Sequence, residues 1–262
     1  MANTSYCSLS TPAVIIDMDA VEKNIAAMIA GAKKHKMTHR PHTKTHKSVL
    51  MAKKQLEMGA CGITCAKIGE AEVMADSGID DILIAFPIIG ADKIERLIAL
   101  KQRIKRLIVI ANSLEGAAGL SEAAVAAGEV FDLLIEVDGG MNRGGVAPGE
   151  AVVAFANRIR HLAGINICGI LYYDALANGS KGHAEVIAAA EREGENVRQS
   201  AELLRQAGFT MEILSAGSSY SAKYPEYLTG VTELRPGTYI YNDRSQLSIG
   251  MVTTAQCALR VM

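Results

Sequence analysis

Short apolar runs and amphipathic segments alternate along this chain almost to its end. Nine runs read as strands: "AVIID" (13–17), "HRPHTKT" (39–45), "GITCA" (62–66), "DILIAF" (81–86), "RLIVIAN" (106–112), "FDLLIEVD" (131–138), "INICGILYY" (165–173), "MEILSAG" (211–217) and "ELRPGTYIY" (233–241). Their length and β-branched content suit strands buried on both faces of a parallel sheet. Between them, helical spacing predicts helices over 19–35, 47–58, 91–102, 113–127, 148–161 and 183–206, several closing at a glycine such as Gly59, Gly128 or Gly208.

Regular strand–helix alternation predicts parallel βαβ units, and the favoured architecture is a (β/α)8 TIM barrel. A barrel needs eight strands, so one of the nine candidates must lie outside it. The alternative, an open doubly wound sheet, is weakened because no G-x-G-x-x-G follows the first strand. The tail "TTAQCALRVM" (253–262) reads as one more strand, the opening of something that the chain does not contain. "DALANGSKG" (174–182) is the least patterned stretch and reads as a surface loop.

The 262 residues are 49% hydrophobic and 21% charged, which suits a large buried core. Lys plus Arg (27) nearly balances Asp plus Glu (28), so no basic field points to nucleic acid or an anionic membrane. The longest apolar runs fall far short of the ~20 residues of a spanning helix. Five scattered cysteines (Cys7, Cys61, Cys65, Cys168, Cys257) with no signal peptide before them favour a reducing, cytoplasmic setting. Cys61 and Cys65 lack a second pair to complete a zinc site and read as buried small hydrophobes.

Against that neutral background, "RPHTKTHK" (40–47) is chemically dense. Barrels place their chemistry at the C-terminal ends of strands. A period of two puts His42, Lys44 and His46 on one face of the second strand. An inward lysine there would be desolvated and close to other cations, and both effects favour the neutral, nucleophilic amine. A frayed basic strand at the surface is the alternative. Later strands add other parts. "EVDGGMNRGGV" (136–146) brackets Arg143, a fork-shaped donor for an anionic oxygen, with glycines. Tyr172 and Tyr173 point to opposite faces, so one can present its ring to a flat ligand. "SAGSSYS" (215–221) offers Gly217, Ser218 and Ser219, and "ELRPGTYIY" offers Gly237 and Thr238, as successive glycine loops suited to a phosphate. An amine, a ring neighbour, a donor and a phosphate cup are what pyridoxal phosphate requires.

On "RPHTKTHK", "GACGITCAKIGEAEVM" (59–74), "EVDGGMNRGGV" and "ELRPGTYIY", the chain resembles the fold-type III, alanine-racemase-like pyridoxal-phosphate enzymes, most of all the D-threonine aldolase and D-serine dehydratase branch. "TPAVIIDMDAVEKNI" (11–25) is similar to the family's opening strand and first helix. The resemblance implies that Lys44 bonds the cofactor and that Arg143 sits near its phenolic oxygen. Tyr173 would be the ring neighbour, with Tyr172 in reserve, and Gly217, Ser218, Ser219, Gly237 and Thr238 would hold the phosphate. Arg235 matches a position that approaches the pyridine nitrogen in the racemases. Lys44 is the candidate base, with His42 and His46 as lesser ones.

The resemblance also implies three segments: 1–18 as the opening of a β domain, 19–250 as the cofactor-binding barrel, and 251–262 as the start of the truncated C-terminal β domain. In relatives that domain supplies a His and Cys pair for a divalent metal. No His-x-Cys occurs in this sequence, so the ligands are expected to be missing. Relatives form dimers, partly through the same domain, which leaves the oligomeric state open.

The implied activity is a lyase acting on D-3-hydroxy amino acids, of the aldolase or dehydratase type. A non-catalytic single-barrel protein that carries the cofactor and an amino-acid racemase are the alternatives. A barrel forming sugar-type imines without a cofactor is a further one.

Overall fold

The computed structural model describes residues 8–262; Cys7 lies outside the described residues. Eight short strands form one parallel sheet in the order β2-β9-β8-β7-β6-β5-β4-β3. They are β2 (Thr38–His39), β3 (Ile63–Cys65), β4 (Asp81–Ile84), β5 (Arg106–Ala111), β6 (Phe131–Asp138), β7 (Ile165–Tyr173), β8 (Ile213–Ala216) and β9 (Glu233–Leu234). The sheet curls until its two ends meet: His42 bridges Thr64, and the Cys61 and Thr64 amides donate to His39 and Pro41 carbonyls at 2.9 and 2.8 Å. The helices α1 (Met18–Lys34), α2 (Val49–Glu57), α3 (Ile68–Asp76), α4 (Ala91–Lys101), α5 (Leu114–Ala127), α6 (Glu150–Ile159), α7 (His183–Gln206) and α8 (Arg244–Ser248) intervene along the chain. Two more strands, β1 (Val14–Ile16) and β10 (Leu259–Val261), pair antiparallel in a separate ribbon.

The sequence explains the layers. Strand residues on one face, such as Ile82, Val109, Leu133 and Ile135, join the buried helix faces in one large apolar core. Alternate residues point inside the curl, where Leu83, Ile108, Ile110, Leu134, Cys168, Leu171 and Ile213 form a second, smaller cluster. The opposite side of that interior is ionic. Arg40 Nε donates to Glu233 Oε2 at 2.7 Å, and Arg40 Nη1 to Asp81 Oδ1 at 2.5 Å. Glu233 Oε1 accepts from Ser215 Oγ at 2.7 Å, and Ser215 Oγ accepts from Arg235 Nε at 2.8 Å.

Several expected elements differ in extent. The second strand stops at His39; past the His42 bridge the chain coils into a 3-10 turn over Thr43–Thr45, with the His46 and Lys47 amides donating back to Thr43 O. That turn replaces the alternation expected through residue 45. The last sheet strand likewise ends at Leu234, and Thr238–Ile240 turns because the Tyr241 and Asn242 amides donate to Thr238 O. Only Leu259–Val261 of the tail is strand. Helices α3 and α8 were not anticipated. Cys65 is buried as expected, but Cys61 is exposed, because it precedes β3 at the sheet margin.

Candidate active site

A cavity of about 310 Å3 opens at the C-terminal ends of the strands, lined among others by His42, Lys44, Glu136, Arg143, Tyr173 and Arg235. The inward alternation explains the strand-borne part of this lining. One step of two beyond Leu134 on β6 lies Glu136, and beyond Leu171 on β7 lies Tyr173. Apolar residues fill this side of the interior, and the next inward positions on β6 and β7 reach its mouth.

Lys44 sits on the 3-10 turn after β2. Burial first, then the Arg235 and Arg143 guanidiniums, hold its ammonium form below the ordinary lysine pKa. Its Nζ lies 5.6 Å from the centre of the Tyr173 ring, and Arg143 Cζ lies 5.4 Å from the same ring. Tyr173 Oη accepts from Asn178 Nδ2 at 2.9 Å. Tyr172 faces the other way: it is buried and its Oη accepts from Asn196 Nδ2 at 2.8 Å. The opposed directions expected for the pair are therefore observed, and only Tyr173 lines the cavity. The loop carrying Arg143 is pressed onto β7, where a Cβ on Gly139 would come 1.9 Å from Tyr173 O.

His42 lines the cavity but is tied to the backbone. Its Nδ1 accepts the Lys44 amide at 3.3 Å, and burial, then Lys44 and Arg235, push its pKa well below 6.5. It shapes the lysine turn as a neutral ring. His46 is not brought to the cavity. The 3-10 turn rotates it toward α2, where Nδ1 accepts from Ser48 N at 3.0 Å and Nε2 lies 3.2 Å from Gln55 Oε1. Burial lowers its pKa to about 4, so it stays neutral.

The two late loops meet beside Lys44. Ser219 Oγ accepts the amides of Gly237 and Tyr239 at 3.1 and 3.2 Å. Both hydroxyl lone pairs are thus engaged, and its own proton is left to donate. Ser218 Oγ accepts the Tyr220 and Ser221 amides at 3.1 and 3.2 Å. Ser218, Ser219, Gly237 and Thr238 all line the cavity, whereas Gly217 does not. The Gly217 amide points away, donating to Glu193 Oε1 at 3.0 Å. Gly217 has φ +86°, a left-handed conformation that glycine adopts without strain. Arg235 is buried, with Nη2 donating to Tyr172 O at 2.6 Å.

Sequence reasoning missed Glu136, Tyr220, Asn178, Asp243 and Ser245 in the lining. Glu136 was findable, since it is two residues beyond an inward leucine. Asn112 Nδ2 donates to its Oε2 at 2.7 Å, and burial, against the pull of Asn112 and the two arginines, raises its pKa. The others sit on turns whose positions no periodicity specifies. Among the described residues, no group of three or more His, Cys, Asp and Glu side chains comes together as a metal site. No helix there is long and apolar enough to cross a membrane.

Comparison with known proteins places the chain in a family. Residues 16–245 match the family described as alanine racemase, N-terminal domain. The chain belongs to that family. This alanine-racemase-type chain is 32% identical over 235 residues to a D-threonine aldolase from Arthrobacter sp., covering 90% of the chain and 62% of that protein. It is 33% identical over 256 residues to D-threo-3-hydroxyaspartate dehydratase of Delftia sp. (strain HT23), covering 97% of the chain and 67% of that protein. The solved D-threonine aldolase of Filomicrobium marinum superposes with a TM-score of 0.91 at 32% identity, over 98% of this chain and 70% of that one. The chain thus spans 62% and 67% of the length of these two curated relatives.

Proposed function

We propose that this chain is the cofactor-binding part of a pyridoxal-phosphate-dependent lyase that acts on D-3-hydroxy amino acids, of the aldolase or dehydratase type. The observation that carries the reading is the convergence of a desolvated amine, a tyrosine ring, two guanidiniums and a serine–glycine cup on one cavity. The aldolase and dehydratase relatives support the same chemistry. We read the curled sheet as a (β/α)8 barrel spanning 19–250, and the β1–β10 ribbon as the edge of a further β domain to which 1–18 and 251–262 belong, residues 1–7 lying outside the described residues.

The donor set fits the cofactor. Lys44 supplies an amine for its aldehyde, and Ser219, Ser218 and Thr238 supply hydroxyls for its phosphate beside Gly237. Arg143 would meet an anionic ring oxygen, and Tyr173 would offer its ring as a flat neighbour. Arg235, fixed by Ser215 and the Tyr172 carbonyl, would present a cation that disfavours protonation of a ring nitrogen brought near it.

When bound, pyridoxal phosphate supplies a conjugated ring that takes up the electron pair from a bond broken at the substrate's Cα. The chain's own residues do the rest. Lys44 Nζ, whose ammonium form is disfavoured, accepts a proton from Cα on the dehydratase route. There the Cβ hydroxyl leaves as hydroxide, whereas on the aldolase route the Cα–Cβ bond breaks, the Cβ hydroxyl becomes the carbonyl of a departing aldehyde, and its proton passes to solvent water. His42, neutral and held at both its Nδ1 and the Thr64 backbone, orients the lysine turn instead of exchanging protons.

The test is an absorption spectrum of the chain with pyridoxal phosphate, before and after borohydride reduction, beside Lys44→Ala. Covalent fixation in the parent and its loss in the variant are expected. An unlabelled parent, or equal labelling of both, would remove the lysine assignment. Turnover of D-threonine, D-serine and D-threo-3-hydroxyaspartate with an added divalent metal then separates a lyase from a cofactor carrier.

A further inference from the structure

A second cavity, also of about 310 Å3, lies on the other side of the turns that form the serine–glycine cup. Ser218–Tyr220 and Gly237–Thr238 face the first cavity, and Ala222–Tyr224, Tyr239 and Asn242 face the second. Among the described residues, the one charged side chain lining the second cavity is Lys223, at the end of the 3-10 turn Ser221–Lys223.

The side-chain amides around Lys223 donate to backbone carbonyls. Asn24 Nδ2 donates to Ile240 O and Gln256 O at 3.1 and 2.9 Å, and Asn242 Nδ2 donates to Gln256 O at 3.0 Å. Among the described residues, Lys223 Nζ has only the long contact to Asn242 Oδ1, at 3.4 Å. The remaining walls are largely apolar, with Met28, Met251 and Pro225 among them. Burial lowers the Lys223 pKa to about 8, against the opposing pull of Cys257 and Asp243. It thereby shares with Lys44 a disfavoured ammonium form and a position on a cavity wall.

We propose that this cavity is a second carbonyl-binding site, at which Lys223 condenses reversibly with small aliphatic aldehydes. The Nζ lone pair adds to the carbonyl carbon, and the carbonyl oxygen gains the protons that nitrogen gives up. Water then leaves, a C=N bond remains, and hydrolysis restores both partners. A carbonyl needs the neutral amine, and the lowered pKa makes that form more abundant at Lys223 than at an exposed lysine. The methionines and proline suit a short alkyl chain. An adduct here lies against the back of the cup, so occupancy of one cavity bears on the other through the Ser218–Lys223 and Gly237–Asn242 turns.

The test treats the full chain with acetaldehyde near neutral pH, reduces with borohydride, and maps ethylated lysines by peptide mass spectrometry. Lys223 should be labelled on the order of tenfold or more above the exposed Lys93 and Lys181, because a larger fraction of it is free amine. Its labelling should also saturate with aldehyde concentration, and Lys223→Arg should lose it while labelling at Lys44 persists. Labelling no higher than at Lys93, or rising without saturation, overturns the proposal. Lys44 is scored separately on the same map, so failure at Lys223 leaves the first cavity's assignment standing.

Discussion

The hydroxyl of Ser219 accepts the amide of Gly237 at 3.1 Å, tying the loop after β8 to the loop after β9. A Cβ on Gly237 would come 2.9 Å from Thr45 Oγ1 and 3.2 Å from His42 O, so the same contact draws in the lysine turn. Three chain segments far apart in sequence are held at one corner of the cavity.

Ser219→Ala removes the acceptor for two amides and the proton available to an anion. Affinity for pyridoxal phosphate should fall by about 1–3 kcal/mol, roughly tenfold to a hundredfold. Competition by inorganic phosphate should weaken in parallel. Fluorescence titration checks both, and unchanged affinity would move the phosphate site elsewhere.

Arg143→Met removes one of the two cations that disfavour the Lys44 ammonium. Losing a like charge raises the lysine pKa, so the pH midpoint for cofactor capture should move upward by on the order of half a unit to one unit. Capture rates followed across pH measure this. A midpoint that stays put, or moves down, contradicts the electrostatic account.

Inside the curled sheet, Arg40 balances Glu233 with both side chains almost fully buried. Arg40→Met leaves that carboxylate buried without its partner, at a cost of about 3–5 kcal/mol. Adding Glu233→Gln should recover part of the loss by removing the stranded charge. Urea unfolding of the single and double variants gives the comparison; additive losses would show that the two residues do not act as a pair.

Glu193, on α7 beneath the cup, is fully buried, and its Oε2 lacks a hydrogen-bond partner among the described residues. Burial raises its pKa to about 7, opposed by the Ser221 hydroxyl and the Gly217 amide. The folded chain then holds this proton more tightly than the unfolded one. The resulting stability is fully present below the unfolded value of 4.5 and is lost as pH rises through about 7. The loss amounts to about 3 kcal/mol. Glu193→Gln should flatten that part of the pH–stability curve while keeping the Gly217 contact. Denaturation at acidic and mildly alkaline pH tests it, and identical slopes for parent and variant would sink the idea.

Much of this molecule was determined by the sequence alone. Periodicity set the strand and helix order: "FDLLIEVD" and "INICGILYY" form β6 and β7 over the expected residues, and 183–206 forms α7 over its full predicted length. The alternation that buries Leu134 and Leu171 also presents Glu136 and Tyr173 at the mouth. The density of "RPHTKTHK" and the two serine–glycine loops marked where the chemistry would gather, because those residue types carry it wherever they lie. Tertiary structure decided what those motifs do together. Alternation ceases to apply once the chain leaves its neighbouring strands, so the turn at Thr43–Thr45 sends Lys44 to the cavity and His46 to Gln55. The same holds for Gly217, whose amide is claimed by a glutamate 24 residues earlier on α7. Local pattern fixes the direction of a side chain relative to its own strand. Which loops converge, which charges meet inside the curl and which lysines lose their water depend on contacts between distant segments, and those exist only in the folded chain.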